Sequence, residues 1–387
     1  MLELAKRATS IVQAEIRAMS VECEKVGGIN LAQGVCDTEV PPEVRRGAER
    51  AIEEGLNQYT RLDGIATLRR EIARKLEREN GIIADAESEI LVTSGATGAF
   101  YSACLALVNP GDEVIIFEPY YGYHVNTVLA LGAVPVLLKL KAPDWSFEAA
   151  DLERLATPRT RAIVLNTPAN PSGKVFTREE IEWIAEWARR RDLFVLTDEI
   201  YEYFVYDGRC HISIASLPGM RERTITISGF SKTFSVTGWR VGYAVCDRRW
   251  AQAIGNLSDL VYVCAPSPLQ WGAAEGLVNL PESFYTSLKD EYVAKRDLIC
   301  AALTEAGLRP SVPQGSYYIL ADASRLPGRN SKERARYLLR ETGVASVPGE
   351  SFFQGSSGED FLRFCYAKTD ADLNEACRRL SRLRVGV

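Results

Sequence analysis

Four residues that could form part of a site follow predicted strands in this sequence. Asn170, Asp198 and Lys232 come at or soon after the apolar runs RAIVLN, LFVLTD and TITIS, and Gly95 directly follows EILVTS. Ligands of open parallel sheets bind at the carboxyl ends of the strands, so an amide, a carboxylate and an amine at this edge indicate a site. Taken singly, the four are more typical of a loop asparagine, a helix cap, a surface lysine and a turn glycine. Their joint position favours a functional site.

Seven short apolar runs supply the strands that would carry this site. Their nearly continuous apolar character indicates that both faces of the sheet are covered, and helix-length segments separate them. This pattern predicts an α/β fold with a seven-stranded, mainly parallel sheet and helices on both faces, in a large domain over residues 41–281. The runs span residues 89–94, 114–119, 134–139, 161–166, 193–198, 224–228 and 241–246.

The C-terminal part of the chain has a different pattern. A long amphipathic segment, short strands around SYYILAD and FLRFCYA, and the final DADLNEACRRLSRLR predict a smaller α+β domain. The first 40 residues hold a helix and the extended piece INLAQGV, which is too little to fold alone. We therefore assign residues 1–40 and 282–387 to the small domain, with the beginning of the chain as an N-terminal arm docked on the C-terminal part.

The composition disfavours several classes of function. The chain has 387 residues, 46% hydrophobic and 25% charged, which is ordinary for a globular protein of about two domains. Its net charge of −5 and pI near 5.5 give no field to attract nucleic acid or an acidic membrane surface. The N-terminal segment lacks the unbroken apolar core of a secretory signal, and no run approaches the ~20 apolar residues of a membrane span. We expect a cytoplasmic protein without nucleic-acid or membrane partners.

The cysteines and histidines argue against disulfide and metal chemistry. Nine cysteines are scattered without a CxxC pair, which indicates reduced thiols, most of them in the core, rather than a disulfide framework or a zinc site. The only histidines are His124 and His211. Two histidines cannot build a multi-histidine metal site, and serine-hydrolase chemistry is short of bases. No metal is expected.

Eight motifs, in order along nearly the whole chain, resemble those of the class I and II aminotransferases, fold-type I enzymes that use pyridoxal 5′-phosphate (PLP). The resemblance therefore implies this fold and PLP as the cofactor. The motifs are INLAQGV, NQYT, SGATGAF, EPYYGY, NTPANPSGKVF, LTDEIYE, SGFSKTFSVTGWRVGY and FLRFCYA.

Lys232 in SGFSKTF matches the family's cofactor-linking lysine. Only a primary amine forms an imine with the cofactor aldehyde and can later move the substrate's α-proton. By the same resemblance, Asp198 pairs with the pyridine nitrogen, whose protonated form lets the ring accept electrons. Tyr201 and Asn170 resemble donors to the cofactor's 3′ oxygen, and Tyr201 joins Lys232 and Asp198 as a catalytic residue. Glu199, next to Asp198, receives no role.

The resemblance also implies a binding site for the cofactor phosphate and ring. SGATGAF fits a strand followed by a helix whose first free amides, those of Ala96 and Thr97, face the phosphate. Ser231 and Arg240 resemble side-chain ligands, and arginine's planar fork of donors suits phosphate oxygens. Tyr121 in EPYYGY resembles the aromatic that stacks on the pyridine face, and other tyrosines of the same motif are alternatives.

Further residues of the resemblance concern substrate and assembly. Arg363 in FLRFCYA resembles the arginine that binds the α-carboxylate, a bidentate task, and Asn170 shares that substrate site. Gly34 in LAQGV resembles part of the N-terminal loop that closes over the substrate. In this family Tyr59 of NQYT reaches the phosphate across a dimer interface, so the motif implies a homodimer with composite sites.

The reaction implied by the resemblance is a ping-pong transfer of an amino group from an L-amino acid to a 2-oxo acid. Ala96 stands where some bacterial aspartate aminotransferases of this subgroup carry a lysine for the distal carboxylate, so dicarboxylate preference loses support. LAQG and NQYT, with the tyrosines of EPYYGY, favour a neutral or aromatic amino acid. Three alternatives stay open: an aspartate-type aminotransferase, a nontransaminating PLP enzyme such as a C–S lyase, and a cofactor-sensing regulatory protein. The last is disfavoured because no helix-turn-helix segment precedes the fold.

Overall fold

The elements of the fold come from a computed structural model that describes residues 2–9, 11 and 15–383. The strands are β1 (Ile29–Asn30), β2 (Ile90–Ser94), β3 (Glu113–Glu118), β4 (Val134–Lys139), β5 (Thr160–Asn166), β6 (Phe194–Asp198), β7 (Thr224–Gly229), β8 (Val241–Val245), β9 (Arg309–Pro310), β10 (Tyr318–Asp322), β11 (Val344–Ala345), β12 (Val347–Pro348) and β13 (Phe361–Cys365). The α-helices are α1 (Lys6–Thr9), α2 (Ile16–Lys25), α3 (Pro42–Glu53), α4 (Ala66–Lys75), α5 (Gly95–Leu107), α6 (Gly122–Ala130), α7 (Ala149–Leu155), α8 (Arg178–Arg190), α9 (Arg248–Tyr262), α10 (Ser267–Asn279), α11 (Glu282–Glu305), α12 (Ser331–Thr342) and α13 (Asp370–Leu380). A π-helical turn extends α4 over Leu76–Asn80, and turns of 3₁₀ helix lie at Ile214–Ser216, Thr237–Trp239, Gly349–Ser351 and Gly355–Gly358.

The seven predicted strands form one sheet, in the order β2-β8-β7-β6-β5-β3-β4. Its strands run parallel except β8, which is antiparallel to both β2 and β7. Strands β3, β6 and β7 are buried along their whole length, as their unbroken apolar sequences predict. The predicted α/β fold with a mainly parallel sheet is confirmed.

Helices cover both faces of this sheet, and successive strand residues alternate between them. In β3, Ile115 and Phe117 pack in a cluster with Ile184 of α8. Val114 and Ile116 point to the other face, where they join a cluster that contains residues of α5, α6 and α9. Each strand residue is therefore used by one of the two cores, which explains why the runs show no polar alternation.

A second, antiparallel sheet of order β12-β13-β10-β9 belongs to the C-terminal part, with α11, α12 and α13 around it. The N-terminal piece docks there as predicted, because β1 pairs in parallel with β11. One hydrophobic cluster contains Ile115 of the large sheet together with Leu31 and Leu320. The two parts thus share a core, and the domain limits at residues 41 and 281 stay a prediction.

The parallel strands bring Asn166, Asp198 and Ile227 side by side at one edge of the sheet, because Asn166 of β5 is in register with Asp198 of β6, and Asp198 with Ile227 of β7. The chain after each strand therefore starts from neighbouring points. Residues separated by many positions in sequence, such as Asn170 and Lys232, are delivered to one place.

Two chain-wide expectations can be compared with the described residues. Within them, no helix has the length and apolar character needed to cross a membrane. All nine cysteines carry free thiols, and six of them are buried. The prediction of unpaired, mostly buried thiols is confirmed.

Candidate active site

A cleft of about 430 Å³ opens at the carboxyl edge of the large sheet. Its walls contain eleven of the twelve residues that the family resemblance assigns to the cofactor or the substrate. These are Gly34, Ala96, Thr97, Tyr121, Asn170, Asp198, Tyr201, Ser231, Lys232, Arg240 and Arg363. The exception is Tyr59, whose side chain lies outside the cleft and is 82% exposed.

Lys232 follows β7 and extends its amine toward the N-terminal loop, where Nζ donates to the carbonyl oxygen of Gly34 at 3.3 Å. The amine also lies 5.9 Å from the ring centres of Tyr201 and of Tyr317. Burial lowers the pKa of the Lys232 amine from the usual lysine value. More of this amine is neutral at a given pH than at an exposed lysine, and the neutral form is the nucleophile and the base.

Asp198 ends β6 with its side chain almost fully buried. Oδ2 lies 3.1 Å from His124 Nε2, and Oδ1 accepts from the backbone N–H of Ile200 at 3.3 Å. A carboxylate only accepts, so His124 carries its hydrogen on Nε2 in this pair. His124 is itself buried. The centre of its ring lies 4.4 Å from that of Phe100 and 5.3 Å from that of Tyr121, with which it forms a T-shaped pair. The carboxylate is therefore fixed in orientation by an imidazole and a backbone amide.

Tyr201 lies on the turn after Asp198, and its hydroxyl is 3.2 Å from that of Tyr318. Burial and the neighbouring Tyr318 raise the pKa of Tyr201 well above the usual value. The Tyr201 hydroxyl thus stays protonated at neutral pH and can donate a hydrogen bond into the cleft.

Arg363 in β13 is a buried cation, 1% exposed, whose described hydrogen bonds go to neutral oxygens. Nη1 donates to Asn170 Oδ1 at 3.0 Å and Nη2 to the carbonyl oxygen of Ala32 at 2.6 Å, while Nε has no partner within the described residues. The guanidinium lies between the rings of Tyr318, at 4.3 Å, and Phe352, at 4.8 Å. A buried cation without a carboxylate partner can attract an anion strongly.

A second basic side chain, Arg240, lies against the start of α5. Gly95, the first residue of that helix, has φ +70°, and a Cβ there would come within 2.5 Å of Arg240 Nη2. Only glycine allows this close approach. Arg240 also has a left-handed backbone, and its Nη1 donates to the Thr237 carbonyl at 2.9 Å. The guanidinium and the free amides at the helix start therefore face one region that suits an anion.

The sequence profile of the family described as aminotransferase class I and II matches residues 26–380. This chain belongs to that family. It is 37% identical over 375 residues to a probable N-succinyldiaminopimelate aminotransferase DapC of Mycobacterium tuberculosis, with 94% of each chain covered. It is 36% identical to kynurenine–oxoglutarate transaminase 3 of Rattus norvegicus, with 90% of this chain and 83% of that protein covered.

Among solved structures, that of N-succinyldiaminopimelate aminotransferase from M. tuberculosis superposes with a TM-score of 0.95 at 36% identity, covering 99% of this chain and 100% of that one. The aminotransferase described here is thus a fold-type I enzyme. Like the other members of its family, it depends on PLP.

Among the polar residues of this aminotransferase cleft that received no role from the sequence, three contact predicted residues through their side chains. These are His124, Asn166 and Tyr318. Asn166 accepts from the Asn170 backbone N–H at 2.8 Å and donates to the Asp198 carbonyl at 3.1 Å. A signal existed for His124, which stands three residues after Tyr121 and so about one helical turn away. Asn166 ends a predicted strand in the same way as Asp198 does.

Proposed function

We propose that this cleft binds PLP and that the enzyme moves the amino group of an L-amino acid to a 2-oxo acid by a ping-pong mechanism. The observation that carries the proposal is the joint setting of Lys232, whose amine pKa is lowered, the His124-held Asp198 and the basic corner at Arg240. When bound, PLP supplies an aldehyde and a ring that accepts electrons. The remaining chemistry belongs to the residues of the chain.

The corner at Arg240 is the proposed phosphate site. A phosphate oxygen there would accept from the guanidinium fork and from the first free amides of α5, at Ala96 and Thr97. Ser231, which is buried and directly precedes Lys232 in the sequence, adds a hydroxyl donor. The room that glycine leaves at position 95 fits this group, because a Cβ would fill the approach to Arg240.

Asp198 and three neighbours are proposed to hold the cofactor ring. The Asp198 carboxylate would accept from the protonated ring nitrogen, and His124 prevents it from turning away. Tyr121, half-buried at the cleft wall and stacked on Tyr123 at 5.0 Å, would cover one ring face. Tyr201 and Asn170 would donate to the ring oxygen, a role that the protonated Tyr201 hydroxyl suits.

Lys232 is proposed to act as the base that moves the substrate's α-proton. Its amine would accept that proton from Cα and deliver it to the carbon that was the cofactor's aldehyde, so one group would serve both positions. Arg363 and Asn170 would orient the substrate by binding its α-carboxylate, and Gly34 brings the loop that covers it. A side chain at position 34 would require the Tyr318 ring to move, since its Cβ would overlap the Tyr318 hydroxyl.

For the substrate we propose a neutral or aromatic amino acid. Among the described residues of the cleft wall, the lysines and arginines are Lys232, Arg240 and Arg363, and each already has a role. The described wall of the cleft therefore offers no further cation for a distal carboxylate, which argues against the aspartate-type alternative. Ile16 and Tyr123 add apolar surface to the wall. The two relatives are named as an N-succinyldiaminopimelate aminotransferase and a kynurenine–oxoglutarate transaminase, so members of this family differ in substrate and a panel of single amino acids decides the donor.

We further propose a cytoplasmic homodimer in which Tyr59 reaches the phosphate site of the partner. Tyr59 and Leu260 are more than 80% exposed, and Val261 is 54% exposed. The loop before Tyr59 is held to the start of α10, where Ser267 Oγ donates to the Leu56 carbonyl at 2.9 Å. Helix α9, which carries the two apolar residues, ends just before α10, so this surface suits burial against a second copy.

The release of 2-oxo acid without an acceptor tests this function. PLP-loaded protein is mixed with single amino acids, and a ping-pong aminotransferase releases at most one equivalent of 2-oxo acid per chain, together with no ammonia. Addition of 2-oxoglutarate should restart turnover. Repeated release of ammonia would indicate the C–S lyase type of chemistry instead, and Lys232→Ala provides the inactive control.

A further inference from the structure

The turn that carries Asp198 and Tyr201 has a second polar face, directed away from the cleft. Glu199 and Glu202 lie on that face, and neither lines the cleft. Both carboxylates are nearly inaccessible to solvent, with side chains 1% and 8% exposed. Two buried carboxylates so close to the proposed ring-binding residue need partners, because an unpaired buried charge is very costly.

Glu199 is held by three donors. His211 Nε2 lies 2.8 Å from Oε2, while Thr197 and Ser213 donate their hydroxyls to Oε1 at 3.0 and 2.8 Å. Its backbone N–H donates to the Ile227 carbonyl of β7 at 2.8 Å. Glu199 therefore ties the end of β6 to β7 and to the segment around His211.

Glu202 is held by a second set of donors. Its Oε2 pairs with Lys75 at the end of α4 and accepts from Asn80 Nδ2 at 2.9 Å, and its Oε1 accepts from Ser228 Oγ at 3.0 Å. Lys75 also donates to Asn80 Oδ1 at 2.8 Å. Ser228 lies four residues before Lys232, so Glu202 links the turn to the strand that delivers the proposed base.

The electrostatics of this network favour the charged forms of three of its groups. Burial acts to lower the pKa of the His211 imidazole, but the attraction of Glu199 outweighs burial and raises this pKa. Burial also acts to lower the pKa of the Lys75 amine, but the attraction of Glu202 outweighs burial and raises this pKa. The Glu202 pKa is lowered, because Lys75 and His211 together outweigh the effect of burial. Each of these shifts favours ion pairing within the network.

The same atoms could be considered as a metal site, since ligand atoms of Glu199, Glu202 and His211 lie within 4.8 Å of one another. The Lys75 ammonium already pairs with the Glu202 carboxylate. A divalent ion would be repelled there, so the cluster is better explained by its own charges.

We propose that the network of Lys75, Glu199, Glu202 and His211 positions the 198–202 turn, with His211 acting through Glu199 as a positioning residue for Asp198 and Tyr201. This inference rests on the proposed function in so far as Asp198 and Tyr201 hold PLP. The ion pairs and hydrogen bonds on the face directed away from the cleft fix the backbone of the turn. This backbone in turn fixes the side chains of Asp198 and Tyr201 in the cleft.

Three variants test this proposal: His211→Phe, Glu199→Gln and the double variant. Either single change leaves one charged group buried without its partner, whereas the double change removes both charges. Two measurements are made on each purified protein. One is hydrogen exchange of the backbone amides in the peptide that spans residues 196–204, without cofactor, and the other is the dissociation constant for PLP from its absorbance.

We expect both single variants to exchange those amides about tenfold faster and to bind PLP about tenfold more weakly, with the double variant recovering most of each loss. Arg159→Gln is the matched control, since it breaks an ion pair with Glu113 at the opposite edge of the sheet and should change neither value. Should His211→Phe not fold, Glu199→Gln carries the same expectation.

Single variants that match the wild type in both measurements would overturn the proposal, and so would a double variant as impaired as the two single losses combined. The exchange measurement also separates this inference from the proposed function. A wild-type protein that binds no PLP defeats the proposed function, while the exchange rates still report whether the network holds the turn.

Discussion

Asp198 is surrounded by groups that leave its carboxylate one orientation. His124 approaches one oxygen and the Ile200 amide the other, and the residue has little exposed surface. We expect Asp198→Ala to reduce kcat by roughly a hundredfold or more, because the protonated ring would lose its electrostatic partner. Steady-state kinetics and circular dichroism check this. Asp192→Asn, at an exposed surface position, is the control, and a near-normal kcat for Asp198→Ala would remove the residue from the site.

The contacts of Arg363 are those expected of a substrate-binding residue rather than of a residue in a structural ion pair. Its fork is positioned by Asn170 and Ala32 and stacked between two rings, but it faces no carboxylate of the described chain. Arg363→Lys keeps the charge and loses the planar fork. We expect KM to rise about tenfold or more for every amino acid tested, with kcat less affected. An unchanged KM across several amino acids would refute the role.

At this scale the sequence predicted most of the cleft. The proposed ligands of PLP were recognised because residues such as Asp198 and Lys232 stand in motifs at strand ends. His124 was not recognised from the sequence, because its contact with Asp198 depends on how α6 packs over the end of β6. The position of His124 one helical turn after Tyr121 indicates that it lies near the cleft, but the sequence does not indicate which carboxylate it contacts, 74 positions further along the chain.

At the scale of elements, the start of α5 depends on one glycine. Gly95 has a positive φ, and its missing Cβ leaves room for Arg240. We expect Gly95→Ala to weaken PLP binding about tenfold or more through both backbone strain and displacement of the guanidinium. Equilibrium titration with PLP measures this. Gly238→Ala, which has open space around its Cβ, should bind PLP as tightly as the wild type does. Equal PLP affinity of the two variants would show that Gly95 is not required at the phosphate site.

The His211–Glu199 pair makes a pH-dependent contribution to stability. The folded pKa of His211 is raised above the ordinary value of 6.5. Its contribution is therefore fully present below about pH 6.5 and is lost as the pH rises through the raised pKa. The titratable groups near it are Glu199, Glu202 and Lys75. We expect the loss of unfolding free energy in His211→Phe, measured by urea denaturation, to be larger at pH 6 than at pH 9. A loss that is independent of pH would show that the pKa of His211 is not raised in the folded protein.

Which strands exist could be predicted, because unbroken apolar runs are what a sheet covered on both faces requires. The antiparallel direction of β8 could not be predicted from the sequence. Its run VGYAVC has the same apolar character as the parallel strands, and only its short connection after β7 allows it to return antiparallel. The Lys75–Glu202 pair was equally hidden, since it joins residues 127 positions apart.

At the scale of the whole molecule, the exposed apolar residues near Tyr59 bear on assembly. We expect a particle of about twice the chain mass of 42.9 kDa in sedimentation equilibrium. Leu260→Glu should shift the particle toward the single-chain mass, because it places a charge in the proposed interface. Val312→Glu, an exposed valine elsewhere, is the matched control. A wild-type protein of single-chain mass at micromolar concentration would contradict the homodimer.

We propose that Lys232 forms the covalent bond to PLP in this cleft, and covalent trapping of the cofactor measures this bond itself. The PLP-loaded protein is reduced with borohydride, digested, and the modified peptide is sequenced. We expect one cofactor per chain, attached to Lys232, and no trapped cofactor in Lys232→Ala. Recovery of the cofactor on another lysine, or a protein that traps none, would contradict it.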